Sequence, residues 1–273
     1  MFIDDQSTFG TYSPTSIVRM ILNITRSIDD SWLGRRIIFM LRRLSSMLTG
    51  KCIDTELENT HMRLYTCGNV CEKRAIYAPQ LFEYYEREFL AKNAGDGCVF
   101  IDIGANVGLY SILVGNQYQR FNHTTIHAIE PHPGLYKRLM YNVNLNPKMH
   151  IKPHNIAIMD KNSTFQLDAD LKNLGQNSIT ERGTIPVQGY SLLNFIKQEK
   201  IKNVTAIKID VEGNEEKILV PFLLEENQSF FPKILILEKN TNAWHTDLTA
   251  LIKQCGYTLN SETRMNFVFT LDS

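Results

Sequence analysis

One stretch of the chain reads as a buried strand, a tight glycine turn and the first turns of a helix: Cys98-Val-Phe-Ile-Asp-Ile-Gly-Ala-Asn-Val-Gly-Leu-Tyr-Ser-Ile-Leu-Val114. The residues around Asp102 are apolar, as in strands that are buried on both faces of a parallel sheet. Gly104 permits a positive φ, or a close approach of the backbone to a ligand. Asn106 is placed to cap the helix, whose free N–H groups would face whatever lies above the strand. The stretch therefore predicts a loop that binds a nucleotide cofactor.

The side chains of this loop distinguish two classes of cofactor. A dinucleotide-binding loop has the pattern Gly-x-Gly-x-x-Gly, but the second and third glycine positions after Gly104 are occupied by Asn106 and Leu109. The loop has instead the pattern Asp-x-Gly-x-x-x-Gly, from Asp102 to Gly108. A carboxylate at its start would repel a pyrophosphate, whereas it would attract the ammonium and sulfonium groups of S-adenosylmethionine.

A second motif lies further along the chain, at Ile207-Lys-Ile-Asp-Val-Glu-Gly-Asn-Glu215. Together with Phe100-Ile-Asp-Ile-Gly-Ala-Asn-Val-Gly108 it resembles the FkbM family of S-adenosylmethionine-dependent methyltransferases. The resemblance covers residues 75 to 273 in the expected order. It implies the α/β fold of class I methyltransferases, which is a Rossmann-like three-layer sandwich around a seven-stranded, mostly parallel sheet. A packed βα turn without a ligand would explain either motif alone, but it does not explain both.

The composition is that of an ordinary globular chain with balanced charge. Lysine plus arginine and aspartate plus glutamate number 29 each, so nucleic acid is not expected as a partner. The five cysteines have no disulfide-like spacing, which fits a reducing compartment. No apolar run has the length of a membrane span, and the acidic start at Asp4-Asp5 lacks the basic region of a signal peptide. We therefore expect a cytoplasmic protein.

Residues 1–75 are predicted to form an N-terminal extension, helical with a short β element, and residues 76–273 the methyltransferase domain. The segment 31–50 contains four arginines and no acid between apolar side chains, which indicates a basic amphipathic helix. Such a helix would suit a peripheral contact with the inner face of a membrane, or with a partner protein. The simpler interpretation, which we favour at this point, packs its apolar side on the domain or on the second subunit of a homodimer. The next predicted helix runs from Gln80 to Lys92.

From residue 99 onward, predicted strands alternate with predicted helices, which indicates a parallel sheet with right-handed crossovers. Ligands of such sheets bind outside the carboxyl ends of the strands. A solvated loop explains one polar residue at such an end, but a shared site explains several better. Five predicted strands end in a polar residue: Asp102, Glu130, Asn155, Asp210 and Glu238. The excursion 161–189, with a polar loop at Gly175, is predicted to be a lid or an acceptor-binding segment.

The predicted cofactor site takes its residues from the first strands. Glu130 ends the second strand, where its carboxylate can accept hydrogen bonds from both ribose hydroxyls. Asp102 and the backbone of the glycine loop would hold the aminocarboxypropyl end, and the segment from Asn155 would read the adenine edge, as the resemblance also implies. The predicted cofactor-binding residues are Asp102, Gly104, Ala105, Asn106, Gly108, Glu130, Asn155 and Ala157.

Methyl transfer to a hydroxyl requires that the acceptor be aligned with the methyl group and that its proton be removed. The candidates for this role are Asp210, Glu212 and Glu238, with Asp210 first because its strand should lie beside the first strand. As an alternative, Glu212 and Glu215 would cap the helix that begins near Gly213. Their spacing matches no metal-binding loop, so we predict no metal.

The sequence thus predicts an S-adenosylmethionine-dependent O-methyltransferase. Members of the family that it resembles are associated with sugar hydroxyls in polysaccharide, lipopolysaccharide or glycoconjugate biosynthesis, and with polyketide tailoring. We expect a sugar or glycan acceptor because no carrier or synthase domain is attached, and tailoring of a polyketide or another natural product is the alternative. Two rivals of other classes remain: an NAD-dependent oxidoreductase, opposed by the missing glycines, and a non-catalytic adaptor that retains the fold.

Overall fold

Helices and strands alternate along most of the chain. The structure, a computed structural model, describes residues 4–168, 178–179, 183–224 and 228–272. The N-terminal elements are α1 (Ser16–Ser27), α2 (Trp32–Ser46), β1 (Cys52–Leu57), β2 (Thr60–Tyr65), α3 (Val70–Tyr77) and α4 (Tyr84–Lys92). The elements that follow are β3 (Val99–Ile103), α5 (Leu109–Tyr118), β4 (Thr125–Ile129), α6 (Pro133–Asn144), β5 (Ile151–His154), β6 (Ala157–Met159), β7 (Ser163–Asp168), β8 (Ser178–Ile179), β9 (Ile185–Ser191), α7 (Leu192–Gln198), β10 (Ala206–Ile209), α8 (Glu215–Leu224), β11 (Ile234–Glu238), α9 (Leu248–Gln254), β12 (Tyr257–Glu262) and β13 (Asn266–Leu271).

The central sheet has seven strands in the order β12-β13-β11-β10-β3-β4-β5. The strands from β11 to β5 are parallel to one another, whereas β13 is antiparallel to both β11 and β12. The prediction of a seven-stranded, mostly parallel α/β sheet is therefore confirmed. Strand β3 lies between β10 and β4, so the predicted cofactor loop leaves the middle of the sheet.

Helices cover both faces of this sheet, which explains why its parallel strands are almost continuously apolar. Successive side chains of a strand point to opposite faces, so Phe100 of β3 joins the core under α5 and α6. Its neighbours Ile101 and Ile103 join the second core, which α7, α8 and α9 cover. The result is the three-layer sandwich predicted from the sequence.

The N-terminal elements pack into the core that α5 and α6 form, since Leu22 of α1 and Leu64 of β2 belong to the same apolar cluster. The buried Arg63 fastens the β1–β2 hairpin. Its Nε donates to Asp54 Oδ1 at 2.7 Å, and its backbone N–H donates to Asn142 Oδ1 of α6 at 2.8 Å. The division into residues 1–75 and 76–273 remains a prediction.

The predicted helix from Gln80 to Lys92 is wrong in its first turn. The chain forms a short 3-10 turn at Pro79–Leu81, and α4 begins only at Tyr84. Between them Glu83 has a φ of 42°, in the left-handed region. The buried Arg87 accounts for the break, because its guanidinium donates to the carbonyl oxygens of Phe82 and Pro79, which a continuous helix would bond internally.

A second, four-stranded sheet with the order β6-β9-β7-β8 follows β5. Strands β7 and β9 occupy the β-rich segments predicted within the excursion 161–189. Most of the predicted polar loop, including Gly175, lies outside the described residues. Among the residues that are described, no helix is long and apolar enough to cross a bilayer.

Candidate active site

A cleft of about 300 Å³ opens at the carboxyl ends of β3, β4, β10 and β11. Most of the residues predicted to form the site line it: Asp102, Gly104, Ala105, Asn106, Glu130, Ala157, Asp210, Glu212 and Glu238. Gly108 and Asn155 lie close to the cleft but do not form its wall. The structure thus brings together carboxyl groups from four neighbouring strands, as expected where parallel strands end at one edge.

The turn between β3 and α5 depends on two glycines. Gly104 has a φ of 89°, and a Cβ added there would lie 1.9 Å from the carbonyl oxygen of Asp210. Gly108 has a φ of 83°, and a Cβ there would lie 2.5 Å from Cδ1 of Leu139. Any larger residue at 104 would therefore push β3 and β10 apart at the point where the cleft begins.

The expectation that Asn106 caps the following helix is wrong. Gly108 occupies the cap position of α5 and offers no side-chain acceptor. Asn106 has a positive φ of 54°, and its Oδ1 accepts a hydrogen bond from Nδ2 of Asn69 at 2.9 Å. The physical reason is that this conformation lets the N–H of Asn106 donate to Glu130 Oε2 at 2.9 Å, which ties the loop to the end of β4.

Asp102 is a deeply buried carboxyl group of the cleft, with 1% of its surface exposed. Its Oδ2 accepts a hydrogen bond from Ser111 Oγ at 2.5 Å, whereas Oδ1 has no partner among the described residues. Burial raises the pKa of Asp102, although the charge of Lys208 opposes that rise. A buried acceptor without a partner is costly unless a ligand supplies a donor, and an ammonium group would do so.

Glu130 is held at the end of β4 by two backbone donors. Its Oε2 accepts from the N–H of Asn106, and its Oε1 accepts from the N–H of His132 at 2.8 Å. Burial raises the pKa of Glu130 to about 7. Each oxygen keeps a further lone pair, so the carboxyl group can also accept hydrogen bonds from a pair of hydroxyls.

The two residues predicted to contact the adenine, Asn155 and Ala157, lie in different positions. Ala157 is buried at the start of β6 and lines the cleft. Asn155 instead donates from Nδ2 to the carbonyl oxygens of Glu130 and Pro131, at 2.9 and 3.0 Å. Asn155 therefore closes the turn that carries Glu130, and Ala157 leaves room beside it.

The three predicted catalytic acids converge at the ends of β10 and β11. Asp210, Glu212 and Glu238 each place one carboxylate oxygen within 4.8 Å of the others. Burial raises the pKa of Glu238 to about 9 and that of Glu212 to about 7, and the charge of Asp210 adds to both shifts. Near neutral pH, Glu238 therefore carries a proton, whereas Glu212 is partly ionised.

Asp210 differs from its neighbours because a buried lysine pairs with it. Burial alone would raise the pKa of Asp210, but the charge and hydrogen bond of Lys208 hold it below its ordinary value. Lys208 Nζ lies 2.6 Å from Asp210 Oδ2, and its side chain is only 3% exposed.

Glu215 was considered as a capping acid for the helix that follows Gly213. Its Oε1 accepts a hydrogen bond from the backbone N–H of Gly213 at 3.0 Å, as a capping acid would.

Lys208 and Glu83 are among the cleft residues that sequence reasoning missed. Lys208 stands inside an apolar strand, and a lysine there is itself a signal of a buried acidic partner. Glu83 lines the cleft with a side chain that is 14% exposed, and Lys208 Nζ lies 4.0 Å from its Oε2. Burial raises the pKa of Glu83 to about 7. Nothing in the local sequence indicated that Glu83 belongs to the site, because the predicted helix included it.

Comparison with known proteins agrees with this architecture. The family model described as the methyltransferase FkbM domain matches residues 102–259. A curated relative, Methyltransferase 1 of Beauveria bassiana, is 24% identical over an alignment of 147 residues, and the match covers 45% of this chain and 58% of the relative. The match thus spans less than two thirds of that relative's length.

Two solved structures are also similar. The FkbM methyltransferase of Methylobacillus flagellatus is 14% identical with a TM-score of 0.45, over 75% of this chain and 56% of that one. The precorrin-6y C5,15-methyltransferase of Geobacter metallireducens is 13% identical with a TM-score of 0.43, over 68% of this chain and 87% of that one.

A seven-stranded sheet of this order, with a cleft over its carboxyl ends, is the architecture of the class I methyltransferases, the class whose cofactor is S-adenosylmethionine. The match to the domain model covers more than half of the sequence. The chain belongs to the FkbM methyltransferase family. Its cleft fits the cofactor of this class, since Asp102 offers a free oxygen for an ammonium group, and Glu130 offers acceptors for hydroxyls.

Proposed function

We propose that the chain is an O-methyltransferase that methylates a hydroxyl group of a neutral sugar or glycan. The observation that carries this proposal is the acidic cleft in which Glu212, Asp210 and Glu238 meet beside Lys208. S-adenosylmethionine supplies the methyl group as an activated sulfonium. What the chain itself must do is hold the cofactor, orient the acceptor and take its proton.

The proposed cofactor site uses the residues of β3, β4 and β6. Asp102 accepts a hydrogen bond from the ammonium group, and Glu130 accepts hydrogen bonds from the ribose hydroxyls. Gly104 brings the backbone close to the cofactor, and Ala157 leaves space for the adenine. Asn155 acts indirectly, because its hydrogen bonds hold the turn that carries Glu130.

The pKa values favour Glu212 over Asp210 as the base that takes the proton of the acceptor. A general base works best when its pKa lies near the working pH, and that of Glu212 is about 7. Asp210 is tied to Lys208 and stays ionised, so it is a weaker base. Its role in this proposal is to accept a hydrogen bond from the acceptor hydroxyl. The protonated Glu238 donates a hydrogen bond to the acceptor.

The charge of the cleft favours a neutral acceptor with several hydroxyl groups. Seven acidic residues line it, whereas the cations in its wall are Lys208 and Arg74 among the described residues. The acids are Glu72, which pairs with the buried Arg138, and Glu83, Asp102, Glu130, Asp210, Glu212 and Glu238. Carboxylates accept hydrogen bonds from sugar hydroxyls but repel phosphates, so nucleic acids and phosphorylated acceptors are disfavoured.

Methyl transfer from S-adenosylmethionine to a panel of acceptors tests this proposal. Neutral oligosaccharides and glycosides should be methylated on oxygen, whereas RNA and free sugar phosphates should not. Activity confined to an apolar polyketide alcohol would favour the natural-product alternative. Tight binding of S-adenosylhomocysteine without any transfer would favour a non-catalytic adaptor. Transfer to RNA would contradict the argument from charge.

A further inference from the structure

Helices α1 and α2 carry most of the large apolar side chains that the described part of the chain exposes. Ten of the fifteen such residues lie on these helices or directly after them, and Met47 is the most exposed at 82%. They are Ile17, Met20, Ile24, Trp32, Leu33, Phe39, Met40, Leu44, Met47 and Leu48. An exposed apolar patch of this kind marks an interaction surface more often than scattered single residues do.

Four exposed apolar residues on α2 and directly after it form one stripe. The helix buries only a narrow face, at Gly34, Ile38 and Ser45. The positions 33, 40, 44 and 47 recur at intervals of seven, four and three residues, so their side chains line up along a second face. The sequence analysis favoured a helix that packs its apolar side on the domain. One face of α2 does pack in this way, whereas its second apolar face is uncovered.

Arginines border the stripe. Neither α1 nor α2 contains an aspartate or a glutamate. Arg36 lies 4.2 Å from the ring centre of Trp32, and Arg42 lies 5.3 Å from that of Phe39, so both cations stand over exposed rings. Arg35 pairs with Asp30 at 2.7 Å. In contrast, the other three arginines of α2 form no salt bridge within the described residues: Arg36, Arg42 and Arg43.

We propose that the surface of α1 and α2 docks on an anionic lipid bilayer. Exposed apolar and aromatic side chains with arginines between them match the interface of such a bilayer, where acyl chains meet phosphate groups. A second copy of this chain is a poorer occupant. In a two-fold contact the same patch faces itself, so the arginines of α2 would face one another, and neither helix contains an acid to offset them.

The inference is independent of the acceptor and of the catalytic residues, because the docking surface is built from α1 and α2 alone. Binding at this surface does not require any side chain of the cleft. The full chain is therefore suitable for the test, and its affinity for S-adenosylhomocysteine serves as a separate control for an intact fold.

Sedimentation with vesicles tests the proposal. The full chain should bind vesicles of phosphatidylglycerol and phosphatidylcholine, and this binding should weaken as salt is raised. It should not bind vesicles of phosphatidylcholine alone with comparable affinity. The triple variant R36Q/R42Q/R43Q should bind the anionic vesicles at least about tenfold more weakly, since each arginine near a membrane surface contributes to binding.

A matched variant and an apolar variant complete the experiment. K202Q/K217Q/K253Q removes three exposed charges elsewhere and should bind like the wild type. F39S/M40S should weaken binding while leaving the melting temperature unchanged, because both side chains are exposed. Absence of vesicle binding, or equal loss in both charge variants, would overturn the proposal. It would also be overturned if the α2 variants abolished a dimer seen by sedimentation equilibrium and vesicles bound no protein.

Discussion

At the scale of single residues, the cleft sets neighbouring carboxyl groups to different protonation states. Lys208 keeps Asp210 ionised, whereas burial beside that charge raises the pKa of Glu238 to about 9. Glu212 lies between these extremes, with a pKa of about 7. When neighbouring groups have different pKa values because their environments differ, one site can hold both an acid and a base.

Replacing Glu212 by glutamine should lower kcat by at least about a hundredfold, because the amide cannot take a proton. The affinity for S-adenosylhomocysteine should stay within about threefold of the wild-type value, because Glu212 is assigned to the acceptor and not to the cofactor. Steady-state kinetics and calorimetry measure the two effects. Glu262→Gln, which makes the same change at an exposed position, serves as the control. Full activity of Glu212→Gln would remove it as the base.

The pH dependence of kcat follows from the same assignment. The base must be deprotonated, so kcat should be low below pH 6, rise through about pH 7 and level off until Glu238 loses its proton near pH 9. Asp210→Asn should lower the plateau but keep this inflection, since the proposal assigns Asp210 to orienting the acceptor and Asp210 is ionised throughout this range. Unchanged kcat of Asp210→Asn, or a profile without an inflection near neutral pH, would contradict the division of roles.

Removal of divalent metals should leave the activity within about twofold. The oxygens of Asp210, Glu212 and Glu238 are close enough to bind a cation, but Lys208 already places a positive charge on this cluster. Activity is measured after incubation with EDTA and again after addition of Mg²⁺. A loss that Mg²⁺ restores would show that the cluster binds a metal in the working enzyme.

At the scale of elements, the β3–α5 turn was readable from the sequence because its signals are local. An apolar run followed by glycines at 104 and 108 predicts a strand, a turn and a helix without knowledge of any distant contact. The cap at Asn106 was misassigned because its conformation depends on Glu130 and Asn69, which come from elsewhere in the chain. Glu83 was missed for the same reason, since Arg87 stabilises the break before α4.

Gly104→Ala should destabilise the protein by about 3 kcal/mol or more and abolish binding of S-adenosylhomocysteine, because the new Cβ meets the carbonyl oxygen of Asp210. Gly97→Ala is the matched control. Gly97 also has a positive φ, of 75°, but nothing lies within 4 Å of a Cβ placed there. Its substitution should cost only the backbone strain, about 1 kcal/mol. Equal losses in the two variants, measured by chemical denaturation, would show that the clash is relieved without cost.

At the scale of the whole molecule, the sequence predicted the sheet, its covering layers and most of the strand-end acids. It could not predict which face of α2 is covered, because the helix has apolar residues on more than one side. Burial at Gly34 and Ile38 follows from the way α2 packs on the N-terminal elements, which is a tertiary contact. Family membership carries the cofactor class, whereas the acceptor depends on the chemistry of the cleft.

The buried acids also make the stability of the whole chain depend on pH. The pKa of Glu238 is about 9 in the folded protein and ordinary in the unfolded chain, so its contribution to stability is present at low pH and is lost as pH rises toward 9. Glu238→Gln should therefore match the wild type near pH 4.5 and become more stable than it by about 1 kcal/mol or more at pH 8.5. Urea denaturation at the two pH values measures this difference. A constant difference across the range would mean that Glu238 is ionised in the folded protein.

The central claim is that the cleft binds S-adenosylmethionine through Asp102 and Glu130, and calorimetric titration tests it most directly. The purified protein should bind S-adenosylhomocysteine with micromolar affinity and show no heat with NAD. Asp102→Asn should weaken this binding by about tenfold or more, since it removes a buried charge that pairs with the ammonium group. Binding of NAD in preference to S-adenosylhomocysteine, or unchanged affinity of Asp102→Asn, would contradict the assignment of the cleft.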